Sequence, residues 1–188
     1  MAQLVHNHAN ALVPQRHRLS FRSVNKAGSP DYDRGLQRHH ILPRQLLTRP
    51  AFAPLLGALS RERLGFDDFR ANGLLLPAND LAAVRIGLPL HRGPHRAYNE
   101  LVIERVGQIE AGWSARRGRA PEVALAEALE GLQLLQHALR RRLLDSQQRM
   151  RLNRHDPLGR DTDFAEIDAM AAQLWPATAP NLPLANAG

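Results

Sequence analysis

Apolar residues recur at three- and four-residue intervals over several stretches of the chain, the spacing that puts them on one face of a helix. Phe52, Leu55, Leu56 and Leu59 predict a short amphipathic helix, and a second segment follows over residues 64–69. Tyr98, Leu101, Val102, Arg105, Val106 and Ile109 share one stripe, predicting a helix over 94–113 that Gly112 and Arg116-Arg117-Gly118-Arg119 break. Leu125, Leu129, Leu132, Leu135, Leu139 and Leu143 keep the 3.6-residue period over 121–150, with Pro121 as the opening residue. Phe164, Ile167, Ala171 and Leu174 predict a last short helix.

Extended structure is confined to two short pieces. One lies within the stretch Gln37 to Leu47, carries the histidines and is ended by Pro43; the other is Leu74-Leu75-Leu76-Pro77, entered by a turn at Asn72-Gly73. Residues 79–90, punctuated by Gly87 and Pro89, read as irregular. The expected fold class is α+β and mostly helical. Its domains run as a flexible N-terminal arm (1–30), a core (31–115), a helical C-terminal extension (116–175) and a tail (176–188).

Composition narrows the chemistry. The 44% hydrophobic content supports a core, and the absence of cysteine removes disulfides and thiolate metal sites. Any zinc-type site is then built from histidine and carboxylate, which suits catalysis better than a structural clip. The formal charge is +7, carried almost wholly by arginine with Lys26 alone as lysine. Arginine pairs bidentately with phosphate, so the balance favours a nucleic-acid partner. No stretch has the length of a membrane span, so a membrane partner is not expected. The first eight residues lack a basic region followed by an apolar run. The expected location is cytoplasmic, with export into target cells by a leaderless system compatible with the sequence.

Four of the nine histidines form two clusters, His39-His40 and His91-x3-His95. His39, His91 and His95 as neutral imidazoles form a candidate site for a divalent ion (Mg²⁺, Zn²⁺ or Mn²⁺) with positions left for phosphate and water. Neighbours on a strand point to opposite faces, so His40 cannot easily share that ion and is free to act as a general base. If Pro94 lies in a helix's first turn, His91 and His95 share a helix face; if Gly93 caps the helix, His91 lies in the preceding loop. Arg92 and Arg96 flank the cluster as candidate phosphate contacts. His17, His137 and His155 read as ordinary surface or core histidines, Asp67 and Asp68 as loop charges, and Arg140-Arg141-Arg142 as a solvated face. His6 and His8 read as part of a solvated tail.

Arg38-His39-His40-Ile41-Leu42-Pro43, Asn72-Gly73-Leu74-Leu75-Leu76-Pro77 and His91-Arg92-Gly93-Pro94-His95-Arg96-Ala97-Tyr98 together resemble the AHH family. These are predicted nucleases of the HNH/endonuclease VII superfamily, common as bacterial toxin modules; the histidine order is also similar to that of DNase colicin nuclease domains. The resemblance spans residues 37–113 and implies a small ββα-metal, treble-clef-like nuclease core with additional C-terminal helices. It implies metal ligation by His39, His91 and His95, water activation by His40, and a loop tether at Asn72 that orients the base. Arg38 departs from the alanine of the family's name. The resemblance further implies a metal-dependent endonuclease on DNA, acting as a toxin or effector with an acidic immunity protein as partner. The alternatives are a metal-stapled nucleic-acid-binding module without catalysis, and a helical interaction protein using residues 121–150.

Overall fold

The computed structural model describes residues 17–158. Its chain order is β1 (Leu36–His40), α1 (Ala53–Leu59), α2 (Phe69–Asn72), β2 (Gly73–Pro77), α3 (Asp80–Ile86), α4 (Arg96–Arg116) and α5 (Pro121–Leu144), with 3-10 turns at Phe21–Ser23, Arg44–Thr48 and Pro50–Phe52. This is a mixed α+β protein in which helices outweigh one small sheet. The sheet pairs β1 and β2 antiparallel, with His39 opposite Leu74 and His40 opposite Gly73.

The helical stripes read from the sequence face the core. Phe52, Leu55, Leu56 and Leu59 are buried, as are Tyr98, Leu101, Val102, Val106 and Ile109 on α4. On α5 the buried stripe takes Leu132, Leu135, Leu139 and Leu143, but its first turns bury Ala124 and Ala128, leaving Leu125 and Leu129 half-covered against the core. Small side chains there let α5 lie close to α4, to which it is extensively packed.

Several expectations need correction. Residues 79–90 contain a helix: the Asn79 side chain caps α3 by accepting from Ala82 N at 2.9 Å, and Gly87 ends it with a left-handed φ of 75°. That helix buries only Ala82 and Ala83, so it shows no apolar stripe in the sequence. Gly112 does not break α4, which runs on to Arg116, and α5 ends at Leu144 rather than at Met150. Asn72-Gly73 is not a hairpin turn, since Asn72 closes α2 and Gly73 already has the extended φ of −112°. Glycine is required there for space: a Cβ would lie 2.2 Å from Phe69 Cδ2.

The arginine run is a solvated face only at Arg141. Arg142 is buried against Gln148, and Arg140 donates to the backbone oxygens of Arg70 (2.8 Å) and Ala71 (3.2 Å) at the end of α2. Those are carbonyls a helix end leaves unpaired, and a cation suits them. His6, His8 and the helix expected around Phe164 to Leu174 lie outside the described residues, as does the tail. From His17 the chain is tied to the core: Leu19 N donates to Asp68 Oδ1 at 3.1 Å, and Arg38 Nη1 donates to Phe21 O at 2.9 Å.

Candidate metal and catalytic site

Alternation along β1 separates the two adjacent histidines. His39 turns inward and is only 4% exposed, whereas His40 emerges half-buried on the other face. On the inner face the His39 ring centroid lies 4.8 Å from that of His91 and 5.8 Å from that of His95, and the last two are 4.3 Å apart. One ring nitrogen from each of the three falls within 4.8 Å of the others.

Backbone contacts bring the second cluster to the strand. His91 N donates to Pro77 O at 2.7 Å, fixing His91 beside the last residue of β2. His95 is the N-cap of α4, so neither histidine stands within the helix. The shared helix face is therefore not how they meet; a loop turning at Gly93, with φ 77°, brings the rings together. Tyr98, on the first turn of α4, donates its hydroxyl to Ile41 O at 2.6 Å and packs its ring 5.1 Å from that of His39.

The three rings suit a cation. His39 Nε2 and His95 Nδ1 are buried with no hydrogen-bond partner, and such atoms are costly unless something takes their lone pairs. His91 Nδ1 lies 3.1 Å from Gln37 Oε1. Donation from Nδ1–H to that oxygen leaves Nε2 as the lone-pair atom, the outer support that ligating histidines commonly have. Gln37 escaped sequence reading, although it precedes His39 by two residues and so shares its strand face. Asp67 and Asp68 stay out of the cluster: Asp67 pairs with Arg61 at 2.8 Å, and Asp68 caps α2.

Electrostatics hold all four rings neutral. Burial drives the His39 pKa well down, and the neighbouring His91, His95 and His40 push the same way. His91 falls to about 4 through burial and then the nearby His95, and burial lowers His95 despite an opposing hydrogen bond with the Leu152 backbone. His40 also falls to about 4, chiefly by burial and then by Arg44, with Asp67 opposing. In each case the unfolded chain binds a proton more readily than the folded one. Stability is therefore fully present above the ordinary histidine pKa of 6.5 and is lost as pH falls from there toward 4. Metal-stripped protein should melt at progressively lower temperature from pH 7.5 to 4.5; a flat profile across that range would contradict the neutral-ring assignment.

On the outer face, His40 stacks on Phe21 with centroids 3.8 Å apart and planes 3° from parallel. No described carbonyl or amide holds its ring nitrogens, so stacking rather than a hydrogen bond sets its orientation. Arg38, two residues earlier on the same face, holds the Phe21 and Val24 carbonyls and so keeps Phe21 in place. The departure from alanine at this position is thus used to dock residues 21–24 on β1.

Asn72 is fully buried, and its side-chain hydrogen bonds go to residues other than His40. Its Oδ1 accepts from Leu42 N at 2.7 Å and Gln136 Nε2 at 3.2 Å; its Nδ2 donates to Leu42 O at 3.2 Å and Phe66 O at 3.0 Å. Its backbone oxygen accepts from Ile41 N at 2.8 Å. It therefore fixes the chain that leaves His40. Gln136, a buried polar residue on α5, was not legible as part of this arrangement.

Arg92 and Arg96 are exposed, and they line a surface groove with Asp80, Arg154 and His155. His155, expected to be an unremarkable surface residue, sits at this groove with Arg154 beside it. No described helix is long and apolar enough to cross a membrane.

Residues 20–138 match a family described as AHH, a nuclease family of the HNH/ENDO VII superfamily with conserved AHH. No curated protein and no solved structure matches the chain.

Proposed function

The chain belongs to the AHH nuclease family, and from that premise we propose that it is a divalent-metal-dependent endonuclease of the ββα-metal type, cleaving DNA without strong sequence preference as a bacterial toxin or effector. The observation that carries this reading is the convergence of His39, His91 and His95, neutral and partly orphaned, one peptide unit from an independent His40. The β1–β2 pair and α4 are the elements of the proposed core.

His39, His91 and His95 would hold the cation, with Gln37 setting the His91 tautomer. When bound, a divalent cation supplies positive charge against the phosphoryl and leaving oxygens as the transition state develops. His40, unprotonated at neutral pH, takes the proton from the attacking water. Its depressed proton affinity rises when the negative phosphodiester arrives, because an adjacent anion favours the imidazolium. Phe21 keeps the ring from turning away, and Asn72 holds the backbone beyond it. The substrate then lies across the end of β1, where the two strand faces meet, with Arg92 and Arg96 on its flanking phosphates. An acidic immunity protein that covers the basic groove is the partner a toxin of this kind needs in its producing cell.

Purified protein should nick supercoiled DNA in Mg²⁺, Mn²⁺ or Zn²⁺ and stop when EDTA is added. Salt-sensitive DNA binding without cleavage in any of these metals would instead make it a metal-stapled binding module.

A further inference from the structure

We propose that residues 149–156, which lie beyond the residues that match the family, form a clamp that positions the His91 and His95 loop, with Asp156 as its central positioning residue. This rests on the reading that His39, His91 and His95 hold a divalent cation.

The clamp grips that loop on both sides of His91. Asp156, 7% exposed, accepts from Leu90 N through Oδ2 at 2.8 Å. It also binds Arg149 Nη2, at 3.1 Å through Oδ1, and the same Arg149 nitrogen donates to the Leu88 carbonyl. One carboxylate and one guanidinium thus hold the backbone at Leu88 and Leu90, immediately before His91. After His91, the Asn153 side-chain amide donates to the Arg92 carbonyl. Met150 and Leu152 are buried in the main core, and Leu90 is buried too, so the clamp is anchored rather than draped.

This arrangement answers a problem set by the local sequence. The stretch from Leu88 to Pro94 has no helix or strand of its own, and Gly87, Pro89, Gly93 and Pro94 deny it regular hydrogen bonding. Its strand-side ties are His91 N to Pro77 O and the His91 ring to the Gln37 side chain. Loops carrying ligands need supporting contacts to keep two rings within a coordination sphere, and outer contacts of this kind are commonly worth 10–100-fold in metal affinity. A buried carboxylate 66 residues away in sequence, bonded to a backbone amide, supplies such support without touching the cation.

The test uses the full chain and Co²⁺ alone, followed by its visible absorption, with the melting temperature of each metal-free protein measured in parallel. Asp156→Ala should weaken Co²⁺ binding about tenfold or more. Asp156→Asn keeps an oxygen for Leu90 N but loses the charge facing Arg149, and its affinity should fall between the two. Asn153→Ala removes one hydrogen bond from a half-exposed position and should weaken binding in the same direction while the protein stays folded. Unchanged Co²⁺ affinity in folded Asp156→Ala and Asn153→Ala proteins would reduce the clamp to a structural brace and overturn the proposal. If the wild-type chain takes up no Co²⁺, the metal reading itself fails and the proposal falls with it, a result distinct from normal uptake by unaffected variants.

Discussion

His40→Ala should cut DNA cleavage by about 10²–10⁴-fold, the usual worth of a positioned general base, while leaving Co²⁺ affinity intact. The expectation follows from the alternation of β1: the His40 ring shares no face with His39, His91 and His95, and its neighbours are Phe21 and Phe66. Removing it takes away a proton acceptor without touching a nitrogen of the triad. His40→Phe separates chemistry from packing, because a phenyl ring can keep the stack on Phe21 but takes no proton. Both variants should be equally inactive in a plasmid-nicking assay run at saturating metal. Cleavage at the wild-type rate by either one rules out His40 as the base. His39→Ala is the contrasting case, losing Co²⁺ affinity and cleavage together.

The second large effect is on stability. Asn72→Ala should cost about 3–5 kcal/mol, the range expected when a buried hydrogen-bonded network loses its centre. Asn72 uses both lone pairs of its oxygen and both amide hydrogens at a site with no exposure. Alanine would leave the Leu42 amide and carbonyl, the Phe66 carbonyl and the Gln136 amide without that partner. Asn72→Asp fares no better, since it points a carboxylate at two carbonyl oxygens. Urea unfolding should show the midpoint falling with little change in slope. A loss under about 1 kcal/mol would mean the network relaxes onto other partners, against its buried and saturated geometry. Because a domain's whole stability is about 5–15 kcal/mol, Asn72 is a fold-determining residue first. Its hydrogen bonds reach the chain beyond His40 at Ile41 and Leu42.

Much of this was written in local patterns. The stripes of α4 and α5 were legible because their buried faces repeat every three or four residues. The separation of His39 from His40 followed from strand alternation alone. What escaped was of two kinds. α3 buries only two alanines and exposes Leu81 and Val84, so no apolar period marked it, although Asn79 and Gly87 supplied its caps. Gln136, Arg140 and Asp156 act on residues 64 to 70 positions away, and no sequence spacing reports a contact at that range. The sequence left two routes for His91 to meet His95, a shared helix face or a loop before the helix, and the structure takes the loop, turned at Gly93. Gln37 was the one site neighbour within reach of the alternation rule.

The five-residue pairing of β1 with β2 has a consequence for how this protein tolerates error. A strand that slips by one residue sends every side chain to the opposite face. Here that slip would not blur the site but invert it, presenting His40 to the inner rings and His39 to Phe21. The hydrogen bonds from Ile41 and Leu42 to Asn72, with Ala78 N to Gly35 O at the other end, close both ends of the ladder against it. The separation of the two histidine faces therefore rests on the two ends of a five-residue strand.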